Sequence, residues 1–260
     1  MLSESNIRVL CPHPNLSLQV LEEVSSTNTL LREQAEAGAP EGTALIARRQ
    51  TAGRGRRDRQ FFSPGDSGLY LSLLLRPSLP AREALSLTAG AAVVTAQTLE
   101  AFGVPAQIKW VNDIFCRGKK VCGILTEGAA DLETGGFRYA IVGIGINLYP
   151  PAGGFPPDLP EAGAVFLQRP ADETLPDRLA AELLSRLLSL SPTLAEKAFF
   201  EEYRRRSLVL GQPITILEGG QTRPALALEL ASDFSLRVRE ASGQIRTLTS
   251  GEVSIRPLSG

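Results

Sequence analysis

Hydrophobic and polar positions along this chain fall into blocks of different period. Thr43 to Arg49 and Gly68 to Leu75 are apolar runs of strand length, the second (GLYLSLLL) apolar enough to be buried on both faces. Before them, Ser25-Ser26-Thr27-Asn28 opens a run with Leu30, Leu31 and Ala35 that stops at Gly38 and Pro40. That pattern predicts a helix from Thr27 to Ala37 behind a hydroxyl N-cap. Ala81 to Phe102, bounded by Pro80 and Gly103, is rich in Ala and Leu throughout and predicts a buried helix packed on the sheet. Gln107 to Val111, Asp113 to Cys116 and Val121 to Thr126 predict strands, the last two joined by a polar RGKK turn, and Tyr139 to Leu148 (YAIVGIGINL) predicts another.

Pro150 to Pro170 holds too many prolines and glycines to be regular. Two amphipathic helices are expected after it, over Leu175 to Leu190 and Thr193 to Arg206. Beyond Gly211 the period shifts to short strands: Pro213 to Leu217, Arg223 to Leu230, Leu236 to Glu240, Ile245 to Leu248 and Val253 to Arg256. The expected class is α/β (α+β): a mixed, mostly antiparallel sheet with packed helices over residues 1–207, then a small β-barrel domain over 208–260.

Composition narrows the chemistry. With 43% hydrophobic residues in 260, the chain fills a proper core, and it carries a formal net charge of −1. It has no apolar run of membrane-spanning length, and its first residues lack the basic start and apolar stretch of a signal peptide, so a cytoplasmic, membrane-free protein is expected. A single histidine, His13, stands near the terminus, which disfavours Ser-His-Asp and Cys-His catalysis. The three cysteines, Cys11, Cys116 and Cys122, form no CxxC pair and suggest neither a disulfide framework nor a zinc site. Neither a GxxxxGK[ST] loop nor a complete dinucleotide fingerprint is present.

Against that near-neutral background, Thr51 to Gln60 (TAGRGRRDRQ) concentrates Arg54, Arg56, Arg57 and Arg59 around Gly53 and Gly55. Glycine backbone can turn successive N–H groups toward one anion while guanidinium forks reach its oxygens, which reads as a phosphate-binding loop. A nucleic-acid face would need basic charge over a wider surface and stacking aromatics, and only Phe61 and Phe62 lie near, so no nucleic-acid partner is expected. Fixing about eight such residues costs on the order of ten kcal/mol of backbone entropy. Like-charged side chains do not recover that without an anion, so the loop is expected to be mobile when empty.

The ordered set SSTN, QTAGRGRR, SPGDSGLYLS, KWVND, KKVCGILTE, GIGINL and GEVS resembles the biotin protein ligase family over about Leu18 to Pro257. The resemblance implies a class II aminoacyl-tRNA synthetase-like, biotin-lipoyl ligase fold followed by an SH3-like β-barrel. It implies a two-step enzyme: biotin and MgATP give biotinyl-5′-AMP and pyrophosphate, and the adenylate then acylates one lysine of a carboxylase's biotin carboxyl carrier domain. Because SSTN begins so near the start, the shorter, monofunctional form without a DNA-binding domain is expected.

By the same resemblance, Arg54 and Arg56 lie against biotin and adenylate, and Lys120 reaches the carboxylate and α-phosphate oxygens. Ser26, Thr27 and Gln50 hydrogen-bond the ureido ring, which has both donors and an acceptor. Gly53, Gly55 and Arg57 complete the nucleotide loop, Asn112 contacts the adenine or ribose side, and Asn147 the nucleotide end. Gly123, Gly143 and Gly145 let strand backbone approach the ligand. Asp113 orients or deprotonates the incoming lysine, serves Mg²⁺, or pairs with Lys120. No metal site of the protein's own is assigned, Mg²⁺ entering with ATP. Arg56, Lys120 and Asp113 are the expected catalytic set.

Several positions depart from the family pattern: Asp58 for a usual glycine, where it could pair with Arg57 or Arg59, Phe61 for a common tryptophan, Val111 for a proline, and a weak signature over Ala227 to Asp233. A lipoyl or octanoyl ligase of the same fold is the nearest rival, though a dithiolane ring gives Ser26, Thr27 and Gln50 nothing to bond. The oligomeric state stays open, with a sheet-edge homodimer among the options, near Arg138 to Ile144 or GLYLSLLL.

Overall fold

A computed structural model describes residues 2–57, 59–218, 220–249 and 251–255. The expected contacts of Asp58 and the strand's end at Arg256 lie outside the described residues. In chain order the elements are α1 (Glu4–Leu10), β1 (Ser17–Val24), α2 (Thr27–Glu36), β2 (Thr43–Gln50), β3 (Gly68–Leu75), α3 (Ala84–Ala101), β4 (Gln107–Lys109), β5 (Asp113–Cys116), β6 (Lys119–Ala130) and β7 (Phe137–Asn147). Then come α4 (Leu175–Leu190), α5 (Phe200–Arg206), β8 (Pro213–Glu218), β9 (Gln221–Leu230), β10 (Leu236–Glu240), β11 (Ile245–Leu248) and β12 (Glu252–Ile255).

Seven strands form one mixed sheet in the order β1-β2-β3-β7-β6-β5-β4, with β1 and β2 parallel and every other pair antiparallel. Side-chain alternation divides β3, β7 and β6 between two environments. Leu69, Leu71 and Leu73 of β3, Val142, Ile144 and Ile146 of β7, and Cys122 and Ile124 of β6 join the main core, which also holds the buried residues of α3 and α4. Leu74 and Ile141 join a smaller cluster with Leu31 and Ala35 of α2. On that second face Tyr70, Ser72, Gly143, Gly145 and Gly123 are polar or lack a side chain, and they leave room there for something other than core.

Five strands make the C-terminal sheet, antiparallel throughout, in the order β11-β10-β9-β8-β12. It docks through aromatic packing: the Phe234 ring lies 5.3 Å from Phe199, 5.2 Å from Phe200 and 5.5 Å from Tyr203. Phe234 takes a left-handed φ of 64° that favours glycine, a cost of about 1–2 kcal/mol. Its fully buried ring and the Trp110 indole, which donates to its carbonyl at 2.8 Å, hold it there.

Some expectations are corrected. The RGKK segment is not all turn: Arg117 and Gly118 take the positive φ angles, and Lys119 and Lys120 begin β6. The first strand of KWVND ends at Lys109, since Trp110 turns away to the C-terminal sheet. Thr193 to Arg206 is not one helix, because a 3₁₀ segment, Ser191–Glu196, closes at Lys197 with φ 50° before α5 begins. The long helix starts as a 3₁₀ turn, Ala81–Glu83. β3 and β7 are interior strands, so neither supplies a sheet edge. The edge strand β1 is covered by α1, where Glu4 accepts from the Val20 amide at 3.1 Å and Arg8 donates to the Leu18 carbonyl.

Candidate active site

The second face of the sheet carries a cavity of about 180 Å³ between α2, the arginine loop, β6, β7 and the C-terminal sheet. Its polar end is built at the start of α2. Ser26 is the N-cap, its hydroxyl accepting from the Thr29 amide at 3.4 Å. The next residue turns inward: the Thr27 amide and hydroxyl donate to Gln50 Oε1 at 2.8 and 3.1 Å, and Gln50 Nε2 donates to Ser63 at 3.0 Å. Ser72, wholly buried in the otherwise apolar β3, bonds Thr27 Oγ1 at 2.8 Å and Asn28 Oδ1 at 2.6 Å. Asn28 Nδ2 donates to Glu127 at 3.0 Å, and Glu127 pairs with Arg54 at 2.8 Å. A single network therefore runs from the β2 terminus through α2 to the arginine loop.

The charged end lies over β5 and β6. Asn112 is pinned to Ile124 by two bonds, its Nδ2 donating at 2.8 Å and its carbonyl accepting at 3.0 Å, and it offers Oδ1 to Arg56 at 3.1 Å. Lys120 Nζ meets Asp113 at 2.7 Å, with side chains 34% and 19% exposed, so the pair is open to a ligand from one side. The Lys120 backbone is held by the long breaker-rich loop, to Glu161 at 2.7 Å and Gly163 at 2.9 Å, and that loop contributes Leu159 to the wall. Burial first, and then the neighbouring Arg57 charge, push the pKa of the Arg56 guanidinium down, against the opposing pull of Asp113 and Glu252.

Each arginine of the loop has an intramolecular partner: Arg54 with Glu127, Arg56 with Asn112, Arg57 with the Leu217 carbonyl at 3.0 Å, and Arg59 with Glu252 at 2.7 Å. This corrects the expectation that the arginines find no counter-charge without an anion, since Glu127 and Glu252 supply it. Half-exposed pairs of this kind contribute only about 0–1 kcal/mol each, so an entering anion can displace them. The GEVS segment sits here too, with Gly251, Glu252 and Val253 in the wall.

Of the residues predicted for the site, Ser26, Thr27, Gln50, Arg54, Gly55, Arg56, Arg57, Asn112, Asp113, Lys120, Gly123, Gly143 and Gly145 line this one cavity. Two stand outside it. A Cβ on Gly53 would lie 2.5 Å from both the Phe61 carbonyl and Ser63 Oγ, so its backbone packs against the loop's own exit. Asn147 Nδ2 donates to the Gly163 carbonyl at 3.0 Å and fastens the long loop. Sequence reading missed Asn28, although it is the last letter of SSTN, and also the buried Ser72 and Lys109. Lys109 is 6% exposed, pairs with Glu161 at 3.4 Å and lines the cavity.

Gly123 and Gly145 are cross-strand partners, and the Phe61 ring rests on both: Cβ atoms there would lie 3.2 and 2.5 Å from it. A Cβ on Gly143 would instead lie 2.0 Å from Asn28 Oδ1. The two glycines therefore predict different outcomes for alanine. Gly143→Ala must displace a residue fixed by three bonds and is expected to destabilise the fold by about 1–3 kcal/mol, read as a lower thermal midpoint. Gly145→Ala meets only a ring on a loop, so its midpoint should move little while ligand affinity falls.

Among the described residues no group of three or more acidic, histidine or cysteine side chains could hold a metal ion. No helix among them is long and apolar enough to cross a membrane.

Residues 20–147 match the model of the Biotin/lipoate A/B protein ligase family. The chain is 30% identical over 246 residues to the biotin–[acetyl-CoA-carboxylase] ligase of Mycobacterium tuberculosis, covering 91% of this chain and 88% of that protein. It is 41% identical over 177 residues to the bifunctional ligase/repressor BirA of Bacillus subtilis, where the match covers 67% of this chain and 54% of the relative. The chain thus spans about half the length of that bifunctional relative. Among solved structures it is similar to the biotin protein ligase from Aquifex aeolicus in complex with biotin and ATP, with 28% identity, a TM-score of 0.69, and coverage of 92% of this chain and 98% of that one.

Proposed function

The chain belongs to the biotin protein ligases of the Biotin/lipoate A/B protein ligase family, and from that premise we propose that it activates biotin with ATP and transfers it to one lysine of a carboxylase's biotin carboxyl carrier domain. The observation that carries this reading is the placement of Thr27 and Gln50 at one end of a single cavity and Arg56 and Lys120 at the other. A small ring with urea-like donors and acceptor, joined by an aliphatic arm to a carboxylate, matches that polarity.

Biotin's carboxylate is ionised at neutral pH, so the first step needs no base. Its oxygen attacks the α-phosphorus, and the cost is electrostatic: Lys120 and Arg56 draw the two anions together and hold the charge that develops. In the second step the carrier's lysine must lose a proton before attacking the acyl carbon, and Asp113 is the carboxylate at hand. The described residues offer no cage of protein ligands, and the cavity fits magnesium as an ion carried on the nucleotide phosphates, where it would offset their charge. We further propose that residues 1–207 form the catalytic domain and 208–260 a second domain bracing the arginine loop, and that the enzyme works in the cytoplasm, where Cys11, Cys116 and Cys122 remain free thiols.

ATP–pyrophosphate exchange with biotin, lipoate or octanoate, followed by addition of a carrier domain, tests this. Biotin-dependent exchange and labelling of one lysine are expected. Exchange with lipoate alone would keep the chemistry and change the substrate, and no exchange with any acid would remove the ligase assignment.

A further inference from the structure

A second cavity, of about 420 Å³, lies beyond the arginine loop. Its walls are the first turn of α3, the β6 segment from Ile124 to Thr126, and Asp233 and Thr249 from the C-terminal sheet. Arg56 and Arg57 enter from the loop and Arg82 from the turn before α3. Arg56, Arg57, Ile124 and Leu125 line both cavities, so the two are contiguous.

The chemistry of this space is lopsided. Arg82 is exposed and has no hydrogen bond or ion pair among the described residues. Its neighbour Glu83 is committed to Lys197 at 2.7 Å. Among the described residues Asp233 is the only carboxylate in the wall, and its Oδ1 accepts from the Ser235 amide at 3.0 Å and the Ser235 hydroxyl at 2.5 Å. Among the described residues the buried hydroxyl of Thr126 finds no hydrogen-bond partner. Guanidinium forks gathered with a spare hydroxyl suit a compact polyanion with many acceptor oxygens.

We propose that this second cavity is the subsite through which inorganic pyrophosphate leaves, with Arg82 as a residue that holds it. The inference rests on the adenylation reading above. In that step a biotin carboxylate oxygen bonds to the α-phosphorus while the bond from that phosphorus to the α,β-bridging oxygen breaks. The electron pair and its charge depart with pyrophosphate, and no proton moves. Attacking and leaving oxygens lie roughly in line across the phosphorus. With biotin's carboxylate on the Lys120 side, the leaving group must emerge on the far side of the α-phosphate, and Arg56 stands between the two cavities. Pyrophosphate is the more highly charged of the two products, so the product that most needs guanidinium partners has them in the adjoining space.

The full-length chain and its Arg82→Gln and Arg82→Lys variants test this. Biotin-dependent ATP–pyrophosphate exchange is measured against pyrophosphate concentration, and transfer from purified biotinyl-5′-AMP to a carrier domain is followed separately. The expected result is a KM for pyrophosphate raised about tenfold or more in Arg82→Gln, partly restored in Arg82→Lys, with transfer from the preformed adenylate unaltered. An unchanged KM for pyrophosphate overturns the subsite. So does an unchanged KM combined with slower transfer, which would make the cavity a seat for an acidic part of the carrier. A wild-type chain without biotin-dependent exchange would instead overturn the ligase reading, and the subsite with it.

Discussion

Lys120→Ala is expected to lower biotin-dependent ATP–pyrophosphate exchange by about 10²- to 10³-fold, the usual cost of removing one group that stabilises developing charge in a preorganised site. The geometry makes the loss larger than a missing cation. Lys120 Nζ sits 2.7 Å from Asp113, so its removal also leaves a carboxylate, only 19% exposed, facing two incoming anions. Asp113→Asn separates those effects. It frees the ammonium of Lys120 for the ligand while keeping a hydrogen-bond acceptor, so exchange should persist. If Asp113 orients or deprotonates the carrier's lysine, transfer from preformed adenylate should slow in that variant. Exchange that collapses in Asp113→Asn as it does in Lys120→Ala would show that the carboxylate serves the first step, through Lys120 or the metal-bound nucleotide.

The parts of the fold legible in sequence are those whose periodicity is local. Gly68 to Leu75 and Leu175 to Leu190 match their elements residue for residue, because an all-apolar strand and an amphipathic helix each announce their surroundings. α1 and β1 escaped notice for the opposite reason. SLQVLEEV is an edge strand with only Leu18 buried, and its outer edge is satisfied by side chains of a seven-residue helix, so neither shows a core-facing period. Within the site, GIGIN was recognisable as a motif, but its logic is the alternation of Ile144 and Ile146 into the core with Gly143 and Gly145 toward the cavity. Ser72 could have been noticed as the one serine inside a largely apolar strand; its partners Thr27 and Asn28 are far away in sequence, and local pattern does not name them. The contacts of Arg57 and Arg59 with Leu217 and Glu252 join segments still more distant.

Arg56→Gly is expected to form the adenylate and fail to keep it. The loop's other arginines stay tied to Glu127, Leu217 and Glu252 in this variant, and Lys120 still faces the carboxylate. What is lost is the guanidinium that both lines the cavity and bonds Asn112 at 3.1 Å, closing the loop onto β6. A second glycine beside Gly55 also raises the entropy of the open loop by about 0.5–1 kcal/mol. A mixed anhydride behind an unlatched loop meets water and passing amines. Release of biotinyl-5′-AMP should therefore quicken, by tenfold or more if one charge-assisted contact is lost, and biotin should appear on bystander lysines as well as on the carrier. Rapid filtration of enzyme loaded with labelled biotin and ATP reads the retention time directly. Retention equal to wild type would remove the latch from Arg56 and leave the ion pairs of Arg54 and Arg59 to hold the loop, while loss of adenylate formation itself would show that Lys120 does not suffice for the first chemical step without the Arg56 charge.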